Sequence, residues 1–526
     1  MNKTLSRALL KIQKRAESVD PSQLAETFVN VGPLFDLLSN PDHQILYGRR
    51  GTGKTHAFIY LHEELSRKGD VAIYTDLRSI GSTGGIYTDG TAPLAERATR
   101  LLKDTLSEIH DRILEYALED DDRVNFAQIA PKLDELAEAS TDVRVEAEEF
   151  SQEITQESES RASESSSIEG GIGSEGPNLS AGSSQDKEAS ESITRQTSER
   201  GKRVHRVHFG RVSNALREIT QLIPDCHLWL LLDEWSSIPI ELQPYLADLL
   251  KRSVFPVRGV SVKIGAIEHR SKFVIDSNDP SYVGIELGAD ASANLDLDDF
   301  MVFDNSKDKS IEFFKKLVYK HVKSTLPEED RDIISDPDDL VRQSFTQANT
   351  FEEFVRAAEG VPRDAIHILS LAVQSNMSSK MTVDQVRNAS RKWYQRDKKK
   401  NVEANESARD LLHWITDHVI GERKARAFLL RSDTDHKLID KLYDSRVLHV
   451  LKRNVSSRSD PGVRFNVFKL DYGCYVDLIT TSKEPQGMLF KDDNNGWEVE
   501  VPQDDYRAIR RAVLDLEEFE NRKIGG

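Results

Sequence analysis

The sequence predicts an α/β fold in which a parallel sheet carries helices on both faces. Short apolar runs at residues 43–47 and 71–75 read as strands, and a helical pattern follows each of them. The run HLWLLLDEW at 227–235 is continuously apolar, as expected for a strand that is covered on both faces. Further strands are expected at 260–267 and 299–303. Strands that alternate with helices are typical of a doubly wound domain.

Size and composition indicate a protein of more than one domain. The chain has 526 residues, of which 38% are hydrophobic, enough for a sizeable core. No apolar run approaches the roughly 20 residues that span a bilayer, so no membrane partner is expected, and residues 1–15 read as a surface helix rather than a signal. Only Cys226 and Cys474 are present. They suggest neither a zinc site nor a disulfide framework, and a cytoplasmic setting is expected.

The helical patterns change the domain plan after about residue 304, where strand signals stop. Helices are expected at 307–324, 350–359, 362–376 and 383–395. Residues 405–480 read as three helices and then two short strands around Ser456 and Gly462, a winged-helix pattern. The predicted plan is an α/β domain at 1–304, a helical lid at 305–400, a winged helix at 401–482, and a tail at 483–526 with a helix at 504–521.

A polar segment at about 120–203 interrupts the first domain. Its main part, residues 141–200, holds 5 basic and 14 acidic side chains and few apolar ones. Such a composition cannot offset the entropy of ordering the chain. We therefore expect a disordered insertion there, and strand signals resume after it.

The clearest motif is GxxxxGKT, which follows the first strand and opens a helix. In this setting glycines let backbone amides approach phosphate oxygens, and the helix N-terminus adds partial positive charge. The lysine would reach the β- and γ-phosphates, and the threonine hydroxyl would ligate Mg²⁺. A glycine-rich turn that matches by chance is the alternative, and the strand and helix around it argue against that. The predicted nucleotide-binding residues are Gly48, Arg49, Arg50, Gly51, Thr52, Gly53, Lys54, Thr55 and His56.

A pair of acidic residues, Asp233 and Glu234, ends the apolar strand. Ligands bind at the carboxyl edge of the strands in open α/β sheets. Asp233 would belong to the Mg²⁺ shell, and Glu234 would polarise the attacking water. Solvated carboxylates at a strand end are the alternative, but the phosphate-loop motif makes catalysis the better reading.

These motifs and Gly360-Val361-Pro362-Arg363-Asp364 together resemble AAA+ P-loop ATPases. Among them the chain is most similar to the origin-recognition-complex type initiators, which have a GxPR lid motif and a C-terminal winged helix. The resemblance covers about residues 22–480 without the insertion. It implies ATP and Mg²⁺ as ligands, ATP hydrolysis, and an Arg363 that senses the γ-phosphate; an ordinary helix-start arginine is the alternative. Residues 25–35 resemble the stretch that holds adenine.

Several site residues stay open at this stage. The polar sensor that the resemblance implies after the fourth strand lies near Glu268, His269 or Arg270. An arginine finger that acts on a second copy could be Arg252, Arg258 or Arg270, and each could equally be a surface arginine. The segment 76–87, rich in Gly and Ser, could line the site, form a partner surface or be a plain loop.

Charge points to the C-terminal part as a candidate nucleic-acid surface. The chain carries −18 overall, yet residues 387–464 hold 19 basic and 11 acidic side chains, a net of +8. SRKWYQRDKKK at 390–400 places six cations, among them Lys398, Lys399 and Lys400, around Trp393 and Tyr394, which suits phosphate contacts. The expected recognition helix and wing contribute His436, Lys437, Lys441, Arg446, Arg453, Arg458 and Arg464. Protein docking and a solvated charged face are the alternatives.

The sequence therefore predicts an ATP-hydrolysing AAA+ switch that is associated with duplex DNA. The alternative is a signalling or scaffold ATPase similar to STAND-type switches, which binds a protein partner and controls an effector, for example in defence against foreign DNA. A degenerate nucleotide-binding structural protein is a third interpretation, and the intact Lys54, Asp233 and Glu234 argue against it. Self-association and an effector protein are left open as further partners.

Overall fold

The structure is a computed structural model. It describes residues 1–16, 19–30, 32–80, 91–119, 124–141, 209–223, 226–275, 283–300, 307–422, 425–456, 462–480, 489–492, 496–499 and 512–524. Within these ranges no helix combines the length and the apolar character that crossing a bilayer would require.

A five-stranded sheet lies at the centre of the first domain. Its strands and a short neighbouring hairpin are β1 Gln44–Tyr47, β2 Val71–Asp76, β3 Leu228–Asp233, β4 Val260–Ala266, β5 Val274–Ile275, β6 Val283–Gly284 and β7 Ser292–Asp296. The sheet order is β2-β3-β4-β1-β7, and all neighbouring strands are parallel. The carboxyl ends of β1 and β3, which carry the two predicted motifs, therefore meet at one edge of the sheet.

Helices cover both faces of this sheet, which explains the continuously apolar strands. Leu230 and Leu231 are both fully buried, yet they belong to different apolar clusters because successive strand residues point to opposite faces. The helices of this part and of the segment before it are α1 Lys3–Lys11, α2 Pro21–Thr27, α3 Leu34–Leu38, α4 Lys54–Lys68, α5 Leu94–Glu119, α6 Phe126–Thr141, α7 Phe209–Leu222, α8 Gln243–Leu249 and α9 Leu297–Phe300.

Two expectations for the first domain were wrong. The start of the predicted insertion is helix α6, whose Ile129, Leu133 and Leu136 are buried against the sheet cluster; its many acidic neighbours in the sequence hide this helical spacing. The remainder, residues 142–203, lies outside the described residues. The fifth strand of the sheet is Ser292–Asp296. Of the strand expected at 299–303, residues 299–300 belong to helix α9, and residues 301–303 lie outside the described residues. Strand β7 is an edge strand, where polar residues are tolerated, so its composition gives little strand signal.

The lid is a helical domain, as predicted, and it also takes in the N-terminal helix. Its helices are α10 Lys307–Thr325, α11 Pro337–Ser344, α12 Ala348–Ala358, α13 Pro362–Ser375, α14 Val383–Trp393 and, after a π-turn at Tyr394–Lys398, α15 Lys399–Glu403. Leu5 and Leu9 of α1 are buried in the cluster that forms the lid core. The surface helix expected within residues 1–15 is present as α1, and it buries one face against the lid.

The C-terminal part is a winged helix. Its elements are α16 Glu406–Ile415, β8 Ala427–Arg431, α17 Lys437–Asp444, β9 Leu448–Ser456, β10 Arg464–Leu470 and α18 Tyr472–Thr480. The three strands form an antiparallel sheet in the order β8-β10-β9. The tail contributes a hairpin of β11 Leu489–Asp492 and β12 Gly496–Val499, and helix α19 Leu516–Ile524. Residues 504–511 of the helix predicted at 504–521 lie outside the described residues. The predicted fold class is confirmed: a parallel α/β sheet with a helical lid and a C-terminal winged helix.

Candidate nucleotide site

The loop between β1 and α4 has the backbone of a phosphate-binding loop. Gly51 and Gly53 have φ values of 89° and 108°, which glycine adopts without steric cost. A Cβ on Gly51 would lie 2.7 Å from the Cβ of Arg363, so glycine is also needed for the close approach of the lid. The first amides of α4 have no intrahelical acceptor and can donate to an anion in front of them.

Lys54 begins α4, and its side chain folds back over the loop. Its Nζ donates to the carbonyl oxygen of Gly48 at 2.6 Å and lies 3.3 Å from that of Arg49. Burial lowers the pKa of Lys54, and the carboxylates of Asp233 and Glu234 oppose that shift. The cation is therefore placed at the loop within the field of the acidic pair.

Asp233 lies at the end of β3 and contacts the first turn of α4. The Thr55 hydroxyl donates to its Oδ2 at 2.6 Å, and the Tyr74 hydroxyl donates to the same oxygen at 3.1 Å. Burial raises the pKa of this carboxyl above its usual value, and the hydrogen bond from Thr55 opposes the shift. Gly265 on β4 makes room for the group, because a Cβ there would lie 2.6 Å from Asp233 Oδ1.

Glu234 follows Asp233 in a left-handed conformation with φ of 58°. Such a conformation is costly for a residue other than glycine and is often found at functional sites. The turn directs the half-buried Glu234 into the same cavity as the phosphate loop. The Ser237 hydroxyl donates to its Oε2 at 3.3 Å.

A cavity of about 290 Å³ lies between the loop, the lid and the segment before α2. The backbone amide of Arg363 donates to the Gly51 carbonyl at 3.2 Å, so the start of α13 rests directly on the loop. Lid residues that line the cavity include Leu317, His321 and Ile366. Gln13, Lys14, Arg15, Val19 and Leu24 line it from the N-terminal side.

Some lining residues were missed by the sequence reasoning. Arg78 reaches the cavity and pairs with Asp76 at 2.5 Å; it lies in the segment 76–87 that was left open, of which residues 81–87 fall outside the described part. His321 and the N-terminal residues have no motif. A helix pattern alone does not tell which of its residues face a cavity that another domain closes.

The predicted binding residues do not all face the cavity. Arg50, Gly51, Gly53, Lys54, Thr55 and His56 line it, whereas Gly48, Arg49 and Thr52 do not. His56 Nε2 donates to the Leu24 carbonyl at 2.6 Å, and burial lowers the pKa of the ring. The Arg49 side chain points away from the cavity and contacts the winged helix, because Asp298 and the end of α17 offer acceptors on that side.

Three of the open candidates for sensor and finger, Glu268, His269 and Arg270, lie at the contact with the winged helix. Glu268 pairs with Arg453 at 2.8 Å, His269 with Asp440 at 3.3 Å, and Arg270 with Asp444 at 3.2 Å. Arg252 pairs with Asp248 one turn earlier at 2.8 Å, and Arg258 is exposed. The residues after β4 thus hold α17 against the α/β domain.

The basic C-terminal surface differs from the predicted one. Lys398, expected at phosphates, is 1% exposed and pairs with Asp364 and Asp471. Arg446, expected on the recognition helix, follows that helix and pairs with Asp364 at 2.9 Å. Both are buried because lid and winged helix pack together there. Arg458 lies outside the described residues. Among the described residues of 387–464, the exposed cations are Lys392, Arg396, Lys400, Arg431, Lys437, Lys452 and Arg464.

One comparison with known proteins finds a similarity that includes the phosphate loop. A sequence profile of the ORC-CDC6-like family matches residues 13–81, the stretch from the N-terminal cavity residues to the end of β2. No curated protein matches the chain. Among solved structures, the ORC1 protein of Aeropyrum pernix in complex with DNA is 14% identical, with 90% of this chain and 96% of that chain covered and a TM-score of 0.28.

The sheet order, the loop after β1, the acidic end of β3 and the helical lid define a P-loop domain of the AAA+ type. The resemblance to the origin-recognition-complex type of this class is confirmed over residues 13–81.

Proposed function

We propose that the protein is an ATP-binding and ATP-hydrolysing AAA+ switch that acts in the cytoplasm and contacts duplex DNA through its C-terminal part. The observation that carries the ATPase proposal is one cavity that collects Lys54, Thr55, Glu234 and Arg363 from three separate parts of the chain. Asp233, which Thr55 contacts, lies directly behind it.

The loop and α4 would hold the phosphates. Amides of the loop and of the α4 N-terminus donate to phosphate oxygens. Lys54 is 7% exposed and would exchange its present carbonyl acceptors for the β- and γ-phosphates. Arg363, whose backbone rests on Gly51, would reach the γ-phosphate from the lid, where a guanidinium fork matches phosphate oxygens.

The residues near Asp233 fit a magnesium ion. The Thr55 hydroxyl and the Asp233 carboxylate meet within 2.6 Å and are the hard oxygen ligands that Mg²⁺ prefers. Bound Mg²⁺ would neutralise charge on the β- and γ-phosphates. Glu234, beside Asp233, would accept hydrogen bonding from the attacking water and orient it towards the phosphorus.

The apolar part of the cavity would hold the adenine base of ATP. Val19 and Leu24 lie on one side, and Leu317 and Ile366 of the lid lie on the other. This arrangement places the base between the two domains, so that a change in the nucleotide would change the angle of the lid.

Two substitutions test the ATPase proposal together. Lys54→Ala should weaken ATP binding, whereas Glu234→Gln should leave binding intact and slow turnover. Binding is measured with a fluorescent ATP analogue, and turnover by phosphate release. Equal turnover of wild type and Glu234→Gln would remove the proposed role of Glu234.

The orientation of the winged helix also favours the second candidate function, a signalling or scaffold ATPase that binds a protein partner. The predicted recognition helix α17 faces the ATPase domain, since His269 and Arg270 pair with its Asp440 and Asp444. A winged helix held in this way can report on the nucleotide site to a protein partner. Salt-dependent duplex binding supports the DNA proposal, and a stable protein complex without DNA affinity supports the alternative.

A further inference from the structure

Arg49 belongs to the phosphate loop, yet its guanidinium is buried in the winged helix. Its Nη1 donates to the Leu448 carbonyl at 2.9 Å, and its Nη2 lies 3.1 Å from His449 Nδ1. The guanidinium carbon lies 4.4 Å from the centre of the Tyr443 ring. Arg49 is only 4% exposed, so these contacts take place away from water.

Asp298, just after β7, fixes both ends of Arg49. Its Oδ2 accepts from the Arg49 backbone amide at 2.8 Å, and its Oδ1 accepts from the Arg49 Nε at 2.8 Å. The paired guanidinium holds the pKa of Asp298 below its usual range despite burial. A movement of the Arg49 backbone is therefore transmitted to its side chain and on to the winged helix.

A chain of buried polar groups continues from Arg49 through the winged helix. Burial lowers the pKa of His449 to about 3, so the ring is neutral: Nδ1 accepts from Arg49, and Nε2 donates to Asp471 at 3.3 Å. Asp471 accepts from Lys398 at 2.6 Å.

The chain then passes through the lid and returns to the loop. Lys398 Nζ lies 2.8 Å from Asp364, the residue after Arg363. Arg446 pairs with the same Asp364 at 2.9 Å, and its Nη1 lies 3.4 Å from the Arg50 carbonyl. We call the residues Arg49, Asp298, Lys398, Asp364, Arg446, His449 and Asp471 the buried latch.

The buried latch is connected to Lys54 of the phosphate loop through the backbone carbonyl of Arg49. Lys54 Nζ donates to the Gly48 carbonyl at 2.6 Å and lies 3.3 Å from the Arg49 carbonyl. If the Lys54 side chain turns to phosphate oxygens, the carbonyls of Gly48 and Arg49 lose their interaction with Nζ. The backbone at Arg49 is then held less firmly. The docked winged helix and the phosphates then compete for one arrangement of the loop.

We infer that Arg49 is a positioning residue that couples the phosphate loop to the winged helix, so that docking of the winged helix opposes ATP binding and ATP binding loosens the dock. This inference rests on the proposed ATP binding. Coupling between two sites is reciprocal; weakening the latch on the winged-helix side should therefore tighten nucleotide binding, although His449 does not line the cavity.

The test uses His449→Leu in the full chain, which removes both ring contacts at similar volume. We expect it to bind a non-hydrolysable ATP analogue about fivefold tighter or more, within the usual range of such couplings. His413→Leu is the matched control: it makes the same change at an exposed histidine of the winged helix and touches neither the loop nor the latch. It should bind like wild type.

A second measurement needs no variant and covers the case in which His449→Leu does not fold. Hydrogen exchange of the β9 amides is followed in wild type with and without the analogue, and exchange should be faster with it. Wild type that binds the analogue with unchanged β9 exchange, or a His449→Leu affinity equal to the control, would overturn the coupling alone. A wild type that does not bind ATP would overturn the proposed function and the coupling with it.

Discussion

The hydroxyl of Thr55 lies 2.6 Å from the Oδ2 of Asp233, although 178 positions separate the two residues in the chain. The contact arises because β1 and β3 are parallel strands of one sheet, separated by β4. The loop after β1 leads to Thr55 in the first turn of α4, and Asp233 is the last residue of β3. A residue of the first helical turn and a strand-end carboxylate thus form one oxygen-rich corner.

This corner gives a prediction about magnesium. Thr55→Val keeps the shape of the side chain but removes the hydroxyl, so the Mg²⁺ concentration for half-maximal ATP turnover should rise by about 10–100-fold, as for other lost metal-site partners. Thr55→Ser keeps the hydroxyl and is the control. The measurement is phosphate release across a Mg²⁺ series. The same magnesium dependence in all three proteins would contradict the assignment of Thr55.

Much of the central site could be predicted from the sequence because its signals are local. The glycines of the loop, the lysine and threonine after them and the acidic end of β3 each lie within a few residues of the strand that positions them. The loop needs positive φ at Gly51 and Gly53, which only glycine supplies cheaply. The pattern therefore reveals the backbone as well as the side chains.

The direction of the buried cations could not be predicted in this way. Arg49 and Lys398 lie in windows that look basic and solvated, but their acceptors are far away in the chain. Asp298 is 249 positions from Arg49, and Asp471 is 73 positions from Lys398. Only the packing of lid, winged helix and sheet brings these charges together. The same packing turns the expected recognition helix towards the α/β domain.

Lys398 gives a prediction about stability. Replacing it by alanine leaves Asp364 and Asp471 buried without the cation between them, and breaking a buried pair in this way costs about 3–5 kcal/mol. Lys399→Ala is the matched control. The Lys399 side chain is 41% exposed, and its ion-pair partners Asp477 and Glu403 lie 3.8 Å and 3.9 Å away. Chemical unfolding of both variants is compared with wild type. Equal stabilities would show that the buried charges are relieved in another way.

His321 predicts a loss of stability in acid. Burial lowers the pKa of its ring from 6.5 to about 4, while Nδ1 donates to the Leu317 carbonyl at 2.8 Å. The fold therefore favours the neutral ring of His321. Because the pKa is lower in the folded than in the unfolded state, the contribution of His321 to stability is present above pH 6.5 and is lost as the pH falls towards 4. Between pH 7 and pH 5 the loss is about 2 kcal/mol.

The measurement compares the pH dependence of unfolding between variants, so that other titrating groups cancel. His321→Gln should lose about 2 kcal/mol less than wild type between pH 7 and pH 5. His413→Gln changes an exposed histidine and should follow the wild-type curve. If His321→Gln also follows that curve, His321 is not the residue that makes the fold sensitive to acid.

The DNA proposal depends on cations that the structure leaves exposed. Lys392, Arg396 and Lys400 are exposed at intervals of four residues along the continuous helical segment from α14 to α15. Side chains at this spacing lie on one helix face. If this face binds duplex DNA, its cations release condensed counterions, and affinity falls steeply as salt rises.

Changing Lys392, Arg396 and Lys400 to Glu should therefore weaken duplex binding to all sequences alike, because phosphate contacts carry no sequence information, and should reduce the salt dependence. Lys437→Gln would instead alter sequence preference if α17 reads base edges, and it should do so only with ATP present if the latch must open first. Fluorescence anisotropy of a labelled duplex across a salt series, with and without ATP, measures both effects.

The matched control is Lys307→Glu on the lid, an exposed lysine outside the basic segment. No binding at low salt, or binding that the triple change leaves intact, would favour a protein partner for the winged helix.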